Sequence, residues 1–538
     1  MVMLRLRWTA AYLRDPGNEP RWTAPRRKAP ALVGALAAAL VGGIAVAGDG
    51  KPGVTPADLA ERTDLIPKDR KRVASVIRPA TDFTKPEAFE AMSGGAATTT
   101  KLVNHDSFSQ SSANLKFEEE ETFKLGNALF RKLWVSSPSS TQASDGLGPL
   151  FNARSCQSCH LKDGRGHPPE GAADATSMFL RLARAPATDE ERAALENFVV
   201  TNIADPVYGR QLQDQSVQGL KPEGRMVIEY TDEPVTLGDG TVVTLRRPAY
   251  SVSDLAYGPL GDGTTLSPRV ANPMIGMGLI QAIHPSDIAA HADPDDRDGD
   301  GISGRMALAR GSHPDAPVIG RFGWKAQNAT VREQSAGAFA GDIGISTPDE
   351  PHSHGDCTAA EADCLAMPVG VQPRLGDTEA PDPVLDLVTF YSENLAVPAR
   401  RDVGDPQVLR GKELFHGIGC VGCHTPKYVT SRKAENKAHR FQLIWPYSDF
   451  LLHDMGEGLA DGQQVGIATG SEWRTPPLWG IGLTETVSGH TFFLHDGRAR
   501  NLEEAILWHG GEGQVSRDAY AGLEAEDRAA LIRFLESL

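Results

Sequence analysis

Two stretches of this chain share the pattern Cys-x-x-Cys-His. "ARSCQSCHLK" supplies Cys156, Cys159 and His160, and "GIGCVGCHTP" supplies Cys420, Cys423 and His424. Two thiols at this spacing can form thioethers with the vinyl groups of one haem, and the adjacent imidazole can ligate its iron. A zinc knuckle would need partner ligands at matching spacing, and none follows either motif closely. A thioredoxin-like dithiol has no need of the trailing His. The repeated pentapeptide therefore reads as two covalently bound haem c groups, with His160 and His424 as ligands.

The other two cysteines, Cys357 and Cys364, lie in the polar loop "HSHGDCTAAEADCLAMP". In an oxidising compartment the default for such a pair is a local disulfide; the functional alternative is a reactive dithiol. A further pattern is "DPDDRDGDGISGR", where Asp296, Asp298 and Asp300 followed by Gly301 match the start of a calcium loop. No Glu closes that loop, so a full EF-hand is excluded. Calcium and a solvated acidic turn both remain open.

Helices must position the two motifs. "FEEEETFKLGNALFRKLWV" (Phe117–Val135) carries Phe123, Leu125, Leu129, Phe130 and Leu133 and predicts a helix before the first motif. "QVLRGKELFHGIG" (Gln407–Gly419) predicts one before the second. "PVLDLVTFYSENLAVP" (Pro383–Pro398) and "EAEDRAALIRFLESL" (Glu524–Leu538) suit helices that pack back on these. The expected fold is mainly α, with two cytochrome c-like haem domains. The expected boundaries are a signal peptide at 1–47, an N-terminal extension with little core at 48–110, a first haem domain at 111–398 and a second at 399–538. The first domain carries a large insert at about 170–320. Within it, "GRMVIEYTDEPVTLGDGTVVTLRRP" alternates apolar and polar residues around Gly-Asp-Gly, a hairpin signature.

Composition narrows the function classes. At 538 residues, 40% hydrophobic and 23% charged, the chain is long enough for two or more cores and reads as globular. A formal net charge of −16 argues against nucleic acid as a partner. Arg26, Arg27 and Lys28 precede an apolar run over 29–47 that ends in a small-x-small site at Ala45-Val46-Ala47. This predicts a cleaved export signal and a periplasmic protein; membrane attachment would follow only from an uncleaved anchor.

"EWRTPPLWGIGLTETVSGHTFFLHDGRARNLEEAILWHGGEG" (Glu472–Gly513) resembles the C-terminal signature of bacterial diheme cytochrome c peroxidases and the related MauG enzymes. From about residue 115 onward the chain is most similar to the diheme oxidoreductase subgroup, also catalogued as thiol oxidoreductases. "GPLFNARSCQSCHLKDGRG", "RFGWKAQNATVREQSAGAFAGDIG", "GKELFHGIGCVGCHTP" and "LLHDMGEGLADG" carry that match. The resemblance implies a sixth ligand for the second haem. Counting from His495 of the "HDG" stretch, the position of the peroxidases' ligating Met holds His509, and Met455 is the rival. It also implies an inter-haem Trp324, with Gln334 and Asp342 above a reactive first haem. Asp342 stands where the peroxidases carry Glu. His167 either caps the first haem or sits in a Gly/Pro loop.

The expectation is an exported diheme oxidoreductase. Electrons pass from a small donor protein through the C-terminal haem to the N-terminal haem, where peroxide or an oxidisable substrate reacts. The alternatives are a plain diheme electron-transfer cytochrome and a thiol oxidoreductase that cycles Cys357 and Cys364.

Overall fold

The computed structural model describes residues 61–141, 144–170, 176–309 and 317–538, with the backbone of 45–46 and 52–53. Apart from that short pairing, the expected signal peptide lies outside the described residues. Ile44–Leu538 group into one unit. No helix among the described residues is long and apolar enough to cross a membrane.

The elements that matter for function are, in chain order, α1 (Phe117–Phe130), α2 (Cys156–Cys159), β1 (Met178–Ala183), β2 (Arg225–Thr236), β3 (Val242–Ser253), β4 (Thr265–Val270), α3 (Val331–Ala338), α4 (Asp382–Glu393), α5 (Pro406–Gly417), α6 (Leu502–Leu507) and α7 (Ala525–Ser537). Their starts follow local chemistry. Asp405 accepts from the Gln407 amide at 2.8 Å ahead of α5, whose first residue is Pro406. Thr330 and Glu333 form a reciprocal capping box at α3.

Two helix pairs carry the motifs. α1 packs on α4, and α5 packs on α7. Each pair crosses at a glycine. A methyl on Gly126 would collide with the Leu387 carbonyl, and one on Gly411 with the Ala530 carbonyl. Phe130 then lies 5.2 Å from Tyr391, and Phe415 lies 5.1 Å from Phe534. α1 is shorter than its apolar residues suggested. It ends at Phe130, and its buried residues are Phe123, Gly126 and Phe130. Leu125 and Leu133 are 59% and 58% exposed. Leu125 is two residues past Phe123, which places it on the far side of a helix, and Leu133 lies beyond the helix end.

The expectation of a mainly α chain is overturned. Of the described residues 30% are helix and 16% strand, with several small sheets. Every sheet among the described residues is two-stranded. The reason is the insert and the long connections, which run as hairpins and loops because their Gly, Pro and β-branched content disfavours helix. β2 and β3 form the expected hairpin in full twelve-residue register, with Gly240 at φ 86° in its turn. That hairpin clasps the C-terminal part of the chain. Arg246 donates to the carbonyls of Arg498 and Gly497 at 2.8 and 2.9 Å, and Tyr250 donates to Asp496 at 2.9 Å. At its tip, Asp239 pairs with Arg528 of α7 at 2.7 Å.

Cores are also shared along the chain. Met178, Val270 and Trp324 pack in one cluster with Phe415, Trp473 and Phe534. The segment before α1 holds more core than expected: Ala97 and Phe108 are 0% and 2% exposed, and Glu90 is buried between Arg400 and Lys412.

Candidate active site

Both Cys-x-x-Cys-His motifs open into one cavity. α2 is a single turn holding Cys156 and Cys159, and a 3-10 turn at Cys420–Gly422 does the same for the second motif. All four thiols are free. Burial pushes Cys156 and Cys420 up to about 12, the opposite of the low-pKa thiolate that a redox dithiol needs. His160 Nδ1 meets the Asn272 carbonyl at 2.8 Å, and His424 Nδ1 meets the Tyr447 carbonyl at 2.9 Å. A backbone carbonyl can only accept, so Nδ1 carries the proton in each ring and Nε2 is left for a metal. Burial lowers both imidazoles to about 4, which keeps them neutral and able to ligate a metal.

The C-terminal end of the cavity holds a second imidazole. His509 follows α6 and donates Nδ1–H to the Ala505 carbonyl at 2.7 Å, again freeing Nε2. It lies near enough to His424 to depress that residue's pKa beyond the effect of burial. Met455 lines the same end; its methyl and the His509 ring are 3.3 and 3.2 Å from the point where a Cβ on Gly513 would stand. Beside Cys423 is a group that sequence reasoning missed. His453 Nε2 lies 2.8 Å from Asp449 and Nδ1 lies 2.6 Å from Glu512, with the Cys423 sulfur 3.6 Å away. Burial disfavours its charge, but Asp449 outweighs that and raises its pKa well above the usual value. The pattern "LLHDMGEG" offered His453, yet nothing local in it foretold Glu512 as a partner.

The N-terminal end is built differently. After α3 the backbone widens into a π-turn at Phe339–Ile343, which carries Asp342 to the cavity wall. The Asp342 carbonyl accepts from the Asn152 and Ala153 amides at 3.0 and 2.9 Å, just ahead of the first motif. Its carboxylate accepts from Gln211 Nε2 at 3.0 Å. Burial pushes the Asp342 carboxyl up, opposed by nearby Arg181. Gln334, on α3, lines the cavity and accepts from Asn328 at 2.9 Å.

Trp324 also lines the cavity, with its indole N–H donated to the Val270 carbonyl at 2.8 Å. It is not alone. His495 meets it edge-on at 6.4 Å and stacks on Trp473 at 3.8 Å and 13°. The structure thus brings Trp324, Gln334, Asp342, His509 and Met455 into one cavity with both motifs, and adds His495, Trp473 and Arg181; Gln211 lies outside the lining and reaches it only through its hydrogen bond to Asp342. Gln211 and Arg181 come from the insert, where no local pattern marked them.

Other expected groups lie elsewhere. His167 is not part of the cavity lining; it packs on His490 at 4.9 Å. Asp296, Asp298 and Asp300 converge to within 4.8 Å on a loop outside the lining. That loop continues into Ile302, which lines the cavity, and Ser303, which donates to Glu512 at 2.8 Å. Cys357 and Cys364 form a disulfide away from the cavity.

The cavity's chemistry fits haem. Arg165, Arg321 and Arg474 line it, all lowered to about 10 by burial. Each is hydrogen-bonded to backbone carbonyls, and among the described residues none forms a salt bridge, although Asp496, Asp287 and Asp449 stand near enough to favour their charge. A buried cation without a directly paired anion is costly, and the propionates of a haem would supply that pairing. Among the described residues, Gln327 Oε1 and His495 Nε2 are likewise buried in the lining without a hydrogen-bond partner, His495 Nε2 lying 3.8 Å from Asp496.

The family described as "Di-haem oxidoreductase, putative peroxidase" matches residues 88–538. That match says nothing of MauG. No curated protein and no solved structure matches the chain.

Proposed function

Since the chain belongs to the di-haem oxidoreductase family, we propose that it is an exported peroxidase whose two cavity ends divide the work. The C-terminal end relays electrons from a small donor protein, and the N-terminal end handles peroxide. The haems, attached at Cys156/Cys159 and Cys420/Cys423, supply one-electron storage and an iron to which peroxide can bind. The observation that carries the reading is the unequal furnishing of one cavity: two neutral imidazoles, His424 and His509, at one end, and a buried carboxylate held by an amide at the other.

The residues do the following. His160 and His424 ligate through Nε2, oriented by the Asn272 and Tyr447 carbonyls. His509 closes the far side of the second site, leaving Met455 as packing beside it. Asp342 accepts the first proton of peroxide and returns it to the departing oxygen; burial raises its affinity for that proton. Gln211 fixes the carboxylate's direction. Trp324, met edge-on by His495 with Trp473 stacked on that imidazole, gives electrons an aromatic route through the cavity. Reducing peroxide to two waters takes two electrons and two protons, which suits two one-electron centres. The disulfide and the leader-like run over 29–47 support export to the periplasm.

Electron paramagnetic resonance of the oxidised and half-reduced protein, with and without peroxide, tests this. The expected result is one low-spin bis-imidazole centre and one high-spin centre that responds to peroxide. Two low-spin centres in every redox state, with no response, would make the protein an electron carrier instead.

A further inference from the structure

Arg181 stands apart from the other described cavity-lining guanidiniums, among them Arg517, which pairs with Asp518 at 2.7 Å. It stands on β1, where side chains alternate across the strand. Met178, Leu180 and Leu182 are buried at 1%, 1% and 0%, while Phe179 and Arg181 line the cavity. β1 pairs with β4, placing Arg181 opposite Ser267 and Phe179 opposite Arg269. On its other edge the Arg181 backbone bridges that of Gln211, the residue that holds Asp342. The insert therefore sets Arg181 and Gln211 side by side against the π-turn.

Its charge is handled unlike the others. Arg269 is paired with Asp461 at 3.3 Å, and Arg165, Arg321 and Arg474 donate to carbonyls. Among the described residues no hydrogen-bond acceptor takes the Arg181 guanidinium. It rests on the Phe179 ring at 5.1 Å. Its Nη1 would stand 3.5 Å from a Cβ built on Gly341, the neighbour of Asp342. A guanidinium carries five N–H donors and pays a desolvation cost when they go unused.

On the reading above, in which peroxide reacts at the N-terminal end, we propose that Arg181 and Asp342 form a binding site for a small anion, with hydroperoxide the working ligand. Hydrogen peroxide gives one proton to the Asp342 carboxylate, and the hydroperoxide anion is held by the Arg181 N–H groups. When two electrons have arrived from the donor protein, the O–O bond breaks. Asp342 returns its proton to the departing oxygen, two solvent protons complete the balance, and two waters leave. The carboxylic acid and the guanidinium then both point donors at the anion, which a carboxylate alone would repel.

Fluoride is the probe, because it is a small anion that accepts hydrogen bonds and needs no electrons. The oxidised holoprotein is titrated with fluoride while the high-spin absorption is followed, for the wild type, Arg181→Leu and Arg181→Lys. Arg181→Leu should weaken fluoride binding by about tenfold or more and slow the first reaction with peroxide to a similar degree, at unchanged haem content. Arg181→Lys, which keeps the charge but not the fork, should recover part of both. It decides the matter if the Leu variant fails to load haem. Fluoride binding as tight in Arg181→Leu as in the wild type, with only a shifted haem potential, would mark Arg181 as a propionate counter-ion and overturn the proposal alone. A wild type that binds no fluoride and ignores peroxide would overturn the reading above as well.

Discussion

The two cavity ends share one scaffold and differ in their ceilings. Each has a helix pair crossing at a glycine, Gly126 against α4 and Gly411 against α7. Each sets a phenylalanine about one ring from the motif histidine, Phe130 at 6.2 Å from His160 and Phe415 at 6.1 Å from His424. Each histidine donates Nδ1–H to a carbonyl. Near His424 stands another imidazole kept neutral by burial, His509. At His160's end stand Asp342, Gln211 and Arg181, delivered by a π-turn and by the insert. The scaffold offers the same haem-binding groups in either place, and in the proposed function the ceiling decides what each end does.

The sharpest way to break this contrast is Asp342→Asn. Peroxide turnover should fall by roughly 10²- to 10⁴-fold at unchanged haem content, while the low-spin signal of the second site stays put. The same change should remove the acid limb of the pH profile. Burial raises the Asp342 pKa, so the carboxylate form is lost as pH falls through a value above the usual carboxylate range. The wild-type rate should therefore drop on acidification and the variant's low rate should not. A turnover loss below about threefold would remove Asp342 from the chemistry.

Next in size is the shared scaffold. Gly126→Val and Gly411→Val should each cost about 3 kcal/mol or more in denaturant unfolding, because a β-carbon meets a backbone carbonyl that cannot step aside. Comparable losses at both sites would sharpen the equivalence of the two helix pairs, and a loss at only one would break it. Smaller in energy but specific to one end is His509→Met. It should raise the potential of the second haem, by about a tenth of the ~0.8 V span that axial ligands command, and leave peroxide binding intact. If Met455 were the ligand instead, His509→Ala would leave the low-spin spectrum unchanged. The smallest effect is expected from Tyr250→Phe, which removes one hydrogen bond between the hairpin and Asp496. About 1 kcal/mol of stability should be lost, read best as faster amide exchange around 495–498.

Much of the scaffold was legible beforehand, and the errors have physical sources. The four helices flanking the motifs were found within about five residues because apolar spacing is a local signal. Counting Leu125 and Leu133 toward the buried face of α1 ignored the direction each takes around the helix. The mainly α expectation gave too little weight to the insert, whose strands pair only in two-stranded ribbons. His495 served in the sequence only to mark register, yet in the fold it stacks on Trp473 beside Trp324. Trp473 and His495 are far enough apart in sequence that no periodicity links them.

The expectation of covalent haem attachment, with His160 and His424 as ligands, came from the sequence alone, because a pentapeptide holds all the atoms that this chemistry needs. The twelve-residue hairpin register was set in the same way, by alternation around a Gly-Asp-Gly turn. Only the tertiary structure decided that the two motifs face one cavity. It also decided that Asp342 meets Gln211 and Arg181 there, and that His167, Asp296, Asp298 and Asp300 do not. A residue's proton affinity and its partners depend on what distant chain segments bury it, and that information is spread over contacts between residues 152, 181, 211 and 342 rather than written at any one of them.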